Sequence, residues 1–262
     1  MPGQEDKMIT SSANPKVKQV ALWQAKGKER RRAGVFLTEG FKMFEEAPEE
    51  RLREVYLTSE ALEKVSETPG MKEKLMRAGY EEVTPEVFRK MSDTQTPQGV
   101  LFLAQMPDTT PPERLEGDRW LVLDGLQDPG NVGTIWRTAD ALGADGLILT
   151  NRCADPFSPK TVRSTMGACF RLPLYEVEAE ELPELLERSG LPLYATALRE
   201  DTVDIKTAQL SRCAVVIGSE GRGVSPELLR LSEKTIKIPM RERCESLNAA
   251  AAAAVVLWEM GR

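Results

Sequence analysis

Apolar residues in this chain fall into short runs. In the second half, the runs at 120–123, 146–150, 172–177, 192–197, 213–217 and 235–239 read as strands buried on both faces. Helical spacing between them predicts helices over 134–142, 159–166, 181–189, 226–231 and 247–260. Strand and helix alternating in this order argue the α/β class, with a mainly parallel sheet covered by helices on both faces. The first hundred residues pattern as a smaller α/β unit, with helices over 17–25, 41–47, 61–65 and 71–78 and strands over 35–38, 52–58 and 99–104. The stretch Met106-Pro107-Asp108-Thr109-Thr110-Pro111-Pro112 is rich in proline and poor in apolar residues. It predicts a linker over 106–117 between domains at 1–105 and 118–262.

Three loops carry the candidate chemistry. The first follows the run 120–123 and reads Asp124-Gly125-Leu126-Gln127-Asp128-Pro129-Gly130-Asn131, a turn cluster ahead of the predicted helix. A strand, a tight loop and a helix put Asn131 and Arg137 at the carboxyl edge of the sheet, where open α/β folds bind ligands. A loop-ending Asn and an Arg paired with Asp140 would look the same. The second loop, Gly218-Ser219-Glu220-Gly221-Arg222-Gly223-Val224, precedes a helix with Ser225 as expected N-cap and Pro226 at its first position. Its glycines permit positive φ and close approach to the backbone, but in neither the dinucleotide nor the P-loop order. Glu220 sits inside it, free for catalysis, capping or a salt bridge. The third runs from Ile238-Pro239-Met240 to Ser246-Leu247-Asn248, with Ser246 the expected N-cap of an alanine-rich helix.

Composition removes many mechanisms. A 262-residue chain with 41% hydrophobic and 29% charged residues can build a substantial core. It contains no histidine, which excludes Ser-His-Asp and Cys-His catalysis and His-ligated metals. Cys153, Cys169, Cys213 and Cys244 are scattered without metal-ligand spacing, so four reduced thiols in a cytoplasmic protein are expected, and no metal. The longest apolar run, 249–258, is about half the roughly 20 residues a membrane span needs. The first residues lack the basic start and apolar core of a secretory signal.

The net charge of −6 is unevenly spread. Residues 1–35 hold Lys7, Lys16, Lys18, Lys26, Lys28, Arg30, Arg31 and Arg32 against Glu5, Asp6 and Glu29. Such a local basic surface can bind phosphate whatever the whole-chain balance, and a solvated amphipathic helix is the alternative. The candidate RNA contacts are Lys16, Lys18, Lys28, Arg30, Arg31 and Arg32.

Taken together, the three loops resemble the SpoU (TrmH-like) branch of the SPOUT methyltransferase superfamily over residues 120–260. Asn131-Val132-Gly133-Thr134-Ile135-Trp136-Arg137-Thr138-Ala139 matches the first family motif, and Ile217-Gly218-Ser219-Glu220-Gly221 the second. Ile238-Pro239-Met240 with Ser246-Leu247-Asn248 matches the third, and Ser164-Thr165-Met166-Gly167-Ala168 is similar to the family's small-residue helix end. Residues 9–105, from Ile9-Thr10-Ser11-Ser12-Ala13-Asn14-Pro15 and including Phe36-Leu37-Thr38-Glu39-Gly40, resemble its amino-terminal RNA-binding domain, related to certain ribosomal proteins.

The resemblance implies S-adenosylmethionine as methyl donor, a ribose 2′-hydroxyl of RNA as acceptor, a homodimer and a carboxy-terminal trefoil knot. By carry-over it puts Asn131, Arg137, Glu220, Ser246 and Asn248 on catalytic positions. It puts Thr196, Ala197, Gly218, Glu220, Gly221, Ile238, Met240 and Leu247 around the cofactor, and Glu39 among the RNA contacts. The expected substrate is 23S ribosomal RNA. Transfer RNA, or a non-catalytic RNA-binding or assembly role on the same scaffold, are the alternatives. A nicotinamide- or nucleotide-dependent enzyme is disfavoured by the missing glycine fingerprints.

Overall fold

Strands that must lose both faces to solvent need apolar residues at every position, and the central strands of this protein have them. The computed structural model describes residues 8–199, 202–241 and 246–262. Lys7, Glu5 and Asp6 of the basic segment, and Cys244, lie outside the described residues. Two compact units emerge.

The first unit contains the described residues up to Pro107, together with Phe157–Phe170. Its chain order is α1 (Pro15–Ala25), α2 (Gly27–Ala33), β1 (Val35–Glu39), α3 (Phe41–Glu46), β2 (Leu52–Leu57), α4 (Ser59–Glu67), α5 (Met71–Ala78), β3 (Glu81–Glu82), α6 (Pro85–Met91) and β4 (Val100–Gln105). The four strands lie in the order β1-β4-β2-β3, antiparallel except for β2 with β3. Val17 and Val20 of α1, and Val87, Phe88 and Met91 of α6, pack with Leu37, Tyr56, Leu101 and Leu103 from the sheet.

The second unit spans Asp108–Pro156 and Arg171–Arg262. It opens with β5 (Arg119–Asp124), α7 (Pro129–Ala141) and β6 (Gly146–Thr150). The next helix, α8 (Pro159–Thr165), belongs to the first unit. Its flanking aromatics explain why: Phe157 and Phe170 meet the buried Phe36 ring of β1 at 5.3 and 5.8 Å. The helix ends at Met166, in the left-handed region at φ 48°. The chain continues through β7 (Leu174–Glu176), α9 (Leu182–Ser189), β8 (Leu193–Thr196), β9 (Val203–Asp204), β10 (Cys213–Gly218), α10 (Pro226–Leu231), β11 (Lys234–Lys237) and α11 (Ala249–Met260).

These seven strands form one sheet in the order β7-β6-β5-β10-β8-β11-β9, with every pairing parallel. The expected α/β class and parallel sheet are therefore present. Trp120 and Val122 of β5 point into a core built with Leu182, Leu185 and Leu186 of α9 and Leu228 of α10. Alternation sends Leu121 and Leu123 to the other face, which α7 and α11 cover while packing on each other. Parallel strands all end at the same edge, so the loops after β5, β8, β10 and β11 gather there. No helix among the described residues is long and apolar enough to cross a membrane.

Candidate active site

The loop after β10 is shaped by close approach. Gly218 ends the strand, and a Cβ there would overlap the carbonyl carbon of Gly223 and the nitrogen of Val224. The chain turns back on itself through a two-bond bridge, Ser219 N donating to Gly223 O at 3.1 Å and Gly223 N to Ser219 O at 2.8 Å. Gly223 closes the turn at φ 69°, a left-handed conformation that favours glycine. Gly221 needs neither privilege, since a Cβ there meets open space. Glu220 stands at the exposed tip of this loop.

The other two loops meet it. Asp128 caps α7, its Oδ1 accepting from Gly130 N at 2.5 Å and Asn131 N at 3.2 Å, with Pro129 at the first helical position. The helix thus starts five residues before the predicted 134, and Asn131 lies on its first turn instead of in a loop. The carboxy-terminal helix is capped by Asn248, not by Ser246 as the sequence suggested. Asn248 Oδ1 accepts from Ala250 N at 3.0 Å and Ala251 N at 3.3 Å, leaving Nδ2 to point away from the helix. That amide donates to Asn131 Oδ1 at 3.2 Å and to Glu220 Oε1 at 3.1 Å. Asn131 Nδ2 donates to the same carboxylate oxygen. Three residues from distant segments form one closed hydrogen-bonded group, so Asn248 both caps α11 and ties it to Asn131 and Glu220.

Behind Glu220 opens a cavity of about 270 Å3 at the carboxyl ends of β8, β10 and β11. Thr196, Ala197, Gly218, Glu220, Ile238, Met240 and Leu247, all carried over as cofactor positions, line it, and Ser246 does too. Thr196 Oγ1 donates to Val216 O at 2.8 Å and ties the strand ends together. Gly221 is not on this wall; it lines a neighbouring cleft. Sequence reasoning missed Leu198, Ile217, Ser219, Gly223, Ile236, Lys237, Ala249 and Ala252, which complete the lining. Their signal was position: each is within five residues of a strand or helix end already assigned to the edge.

A second polar group was not foreseen. Asp124, 3% exposed, accepts from Asn151 Nδ2 and from Ser225 N, each at 2.6 Å. It joins the ends of β5 and β6 to the start of α10, where Ser225 caps as expected.

Arg137 is not drawn into the three-residue group. It follows Asn131 by six residues, about 9 Å along the helix and about 120° around it. Its side chain is exposed and makes no hydrogen bond or ion pair with any described residue. The pairing with Asp140 that the sequence left open is not formed, because Arg171 Nη2 holds that carboxylate at 2.7 Å.

In the first unit, Lys18, Lys28, Arg31 and Arg32 are exposed, and Lys16 is exposed but paired with Glu81. Arg30 departs from the sequence expectation of an available cation. It is 3% exposed and donates to Trp23 O at 2.6 Å and Gln24 O at 3.0 Å, fastening α2 to the end of α1. Glu39 accepts from Ser92 Oγ at 2.7 Å and Thr94 Oγ1 at 2.8 Å, ordering the loop before β4.

The chemistry available is that of amides, carboxylates and guanidiniums. Burial pushes the Cys153 thiol up to about 11 and the Cys213 thiol up to about 12, so neither is a thiolate nucleophile at neutral pH. Among the described residues no group of three His, Cys, Asp or Glu side chains could hold a metal ion.

Comparison with known proteins places the chain in a family. Residues 14–102 match the MRM3-like substrate binding domain. The Bacillus subtilis 23S rRNA (guanosine(2553)-2′-O)-methyltransferase RlmP is 33% identical, with 97% of this chain and 99% of the relative covered. An AdoMet-bound rRNA methyltransferase from Sinorhizobium meliloti superposes with a TM-score of 0.84 at 31% identity, covering 97% of both chains. The SpoU methyltransferase AviRb from Streptomyces viridochromogenes, in complex with the cofactor AdoMet, gives a TM-score of 0.82 at 29% identity over 95% of this chain and 97% of that one. Residues 118–258, more than half of the chain, match the SpoU rRNA Methylase family, and the protein belongs to it.

Proposed function

We propose that this protein is an RNA (ribose-2′-O)-methyltransferase that uses S-adenosylmethionine and acts on 23S ribosomal RNA. The observation that carries the reading is the Asn131–Glu220–Asn248 group at the mouth of the apolar cavity. The AdoMet complexes and 23S rRNA substrates of its relatives support it.

The cavity suits the cofactor's chemistry. Ile217, Ile236, Ile238, Met240 and Leu247 supply apolar walls for a purine, and the strand ends beyond the β8–β10–β11 ladder supply main-chain groups. The Glu220 carboxylate gives an anionic rim for a cationic ligand. Bound there, S-adenosylmethionine supplies an electrophilic methyl carbon on a sulfonium.

A ribose hydroxyl is a very weak acid and loses its proton as it attacks. The attacking oxygen and a bound sulfonium would carry opposite charges, which cancel as a C–O bond replaces the methyl's C–S bond and a neutral thioether leaves. Strong anion stabilisation would therefore favour the reactants. In-line orientation contributes most, and removal of the proton the rest. Asn131 and Asn248 fix Glu220 so that the acceptor ribose meets a rigid edge, with Ser246 lining the cavity beside it. Arg137 positions and polarises: as a guanidinium it stays protonated, so it clamps an RNA phosphate or lowers the hydroxyl pKa, with substrate phosphate or water taking the proton. Under RNA saturation, Arg137→Ala is expected to slow single-turnover methyl transfer about 100-fold, and Arg137→Lys less. A near-normal Arg137→Ala rate would remove both roles.

In this reading residues 1–105 bind the RNA substrate through Lys16, Lys18, Lys28, Arg31, Arg32 and Glu39, and 106–117 link them to the methyltransferase domain at 118–262. Matches on either side of the proline-rich segment support that division. The family's trefoil knot fits the out-of-order insertion of β10 between β5 and β8 and the return of α11 onto α7. A cytoplasmic homodimer completes the proposal. Trp258, 62% exposed on α11, gives an apolar anchor for a second copy. Sedimentation reads the dimer. Calorimetric titration with S-adenosylmethionine and mapping of 2′-O-methyl sites in 23S rRNA, with and without the protein, test the activity. Absence of both signals would end the proposal.

A further inference from the structure

Beside the apolar cavity lies a second cleft of about 950 Å3, lined mostly by polar and charged residues and bordered, like the cavity, by the Ser219–Gly223 loop. Ser219, Glu220 and Gly223 line both spaces, so the two share this loop as a common wall. Three arginines from three segments face the cleft: Arg152 after β6, Arg222 in the glycine loop and Arg230 on α10. All three are exposed, and none makes a side-chain hydrogen bond or ion pair with a described residue. Other exposed arginines here find partners, as Arg171 does with Asp140 and Arg212 with Asp118.

One of them is held there against the preference of its backbone. Asn151 and Arg152 are consecutive non-glycine residues in the left-handed region, at φ 53° and 58°. Such strain persists where the surroundings over-determine it, and it clusters at ligand clamps. Here the surroundings are visible. Asp124 holds the Asn151 amide at 2.6 Å, and Gln127 Nε2 donates to Arg152 O at 2.6 Å. Buried Asp124 thus serves to turn this loop toward the cleft. Glu227 also lines the cleft, without a partner among the described residues. A mixture of cations with an acceptor suits a nucleotide better than a free anion.

We propose that this cleft binds the sugar-phosphate backbone of the RNA flanking the acceptor ribose, with Arg152, Arg222 and Arg230 as phosphate contacts. The proposal rests on the methyltransferase reading and deepens it. RNA would approach Glu220 from the polar side while the cofactor occupies the apolar side, and the glycine loop would be the partition between them.

The test uses the full-length protein, a 23S rRNA transcript and S-adenosylmethionine. Arg152→Gln, Arg222→Gln, Arg230→Gln and the triple variant are compared for RNA affinity across a salt series, with cofactor affinity measured by calorimetry. Neutralising one phosphate-binding arginine should reduce the slope of log K against log salt by about 0.7 to 0.9. The triple variant should therefore drop by about 2.1 to 2.7 in slope and bind RNA at least about 100-fold more weakly at low salt. Cofactor affinity should stay within about twofold, and Arg152→Lys should recover most of the Arg152→Gln deficit, as expected for a charge interaction. Unchanged RNA affinity and salt slope in the triple variant, with the wild type methylating normally, would overturn the cleft alone. A wild type that neither binds cofactor nor methylates RNA would overturn the parent reading and this one with it. The single variants alter exposed side chains, so they carry the test should the triple variant fold poorly.

Discussion

Gly218→Ala is expected to lose S-adenosylmethionine affinity by about 100-fold or more and to abolish measurable methyl transfer. The added Cβ would occupy the space of the Gly223 carbonyl carbon and Val224 nitrogen, which are main-chain atoms and cannot rotate away. Relief requires opening the Ser219–Gly223 bridge, with its two hydrogen bonds at 3.1 and 2.8 Å. Each bond contributes about 1 kcal/mol, and overpacking adds about 1–3 kcal/mol. The total exceeds the roughly 2.7 kcal/mol that a 100-fold change in affinity represents. Opening the bridge also carries Glu220 away from Asn131 and Asn248, so the cavity loses a wall and the rim together. Gly221→Ala is the folding control, since its Cβ meets nothing within 4 Å, and its thermal midpoint should match the wild type. Calorimetry on Gly218→Ala decides the matter. Cofactor affinity within threefold of wild type would show that the loop can absorb a methyl group and that its closeness is incidental.

That loop also marks how far the sequence can be read. Three glycines in six residues announced unusual backbone, but not which glycine served what: Gly218 close approach, Gly223 positive φ, Gly221 neither. Apolar runs located the strands of the large sheet within a residue or two, except the two-residue β9, because strands buried on both faces leave an unbroken hydrophobic signal. Polar and short elements were harder. The α2 segment, Gly27–Ala33, has no apolar period, and it is held by Arg30 reaching back to the carbonyls of Trp23 and Gln24. The start of α7 was hidden because Asp128-Pro129-Gly130-Asn131 spells a turn as readily as a capped helix start, and the choice depends on packing against α11. For α6 the signal was present and unread: Thr84 caps, Pro85 follows, and Val87, Phe88 and Met91 share a buried face.

The site was legible as residue types and not as a constellation. Asn131, Glu220 and Asn248 are 89 and 28 residues apart along the chain, and only the common edge of a parallel sheet brings their side chains together. The Asp124–Asn151–Ser225 group had no sequence signal at all, since an aspartate at a strand end and an asparagine in a loop are ordinary. The assignment of α8 to the first unit is likewise a tertiary matter, decided by two phenylalanines on Phe36.

Asn248→Ser and Asn248→Ala are expected to part company in stability while failing alike in catalysis. Asn248 does two things with two atoms: Oδ1 caps α11 at Ala250 and Ala251, and Nδ2 binds Asn131 and Glu220. Serine ranks with asparagine as an N-cap, whereas alanine forfeits about 1 kcal/mol. In a protein of this size that is a fall of about 2–4 °C in the thermal midpoint for Asn248→Ala and little for Asn248→Ser. Neither replacement reaches Asn131 Oδ1 and Glu220 Oε1 together, so in both variants Glu220 is left with Asn131 alone. Freed to rotate at its exposed tip, the carboxylate no longer presents a fixed edge to the ribose, and misplacement by about 1 Å can cost about 100-fold in rate. Single-turnover methyl transfer with saturating RNA and cofactor reads this directly, beside thermal unfolding of the same samples. Should Asn248→Ser turn over at the wild-type rate, Asn248 serves the helix only, and the three-residue group loses its claim to orient the reaction.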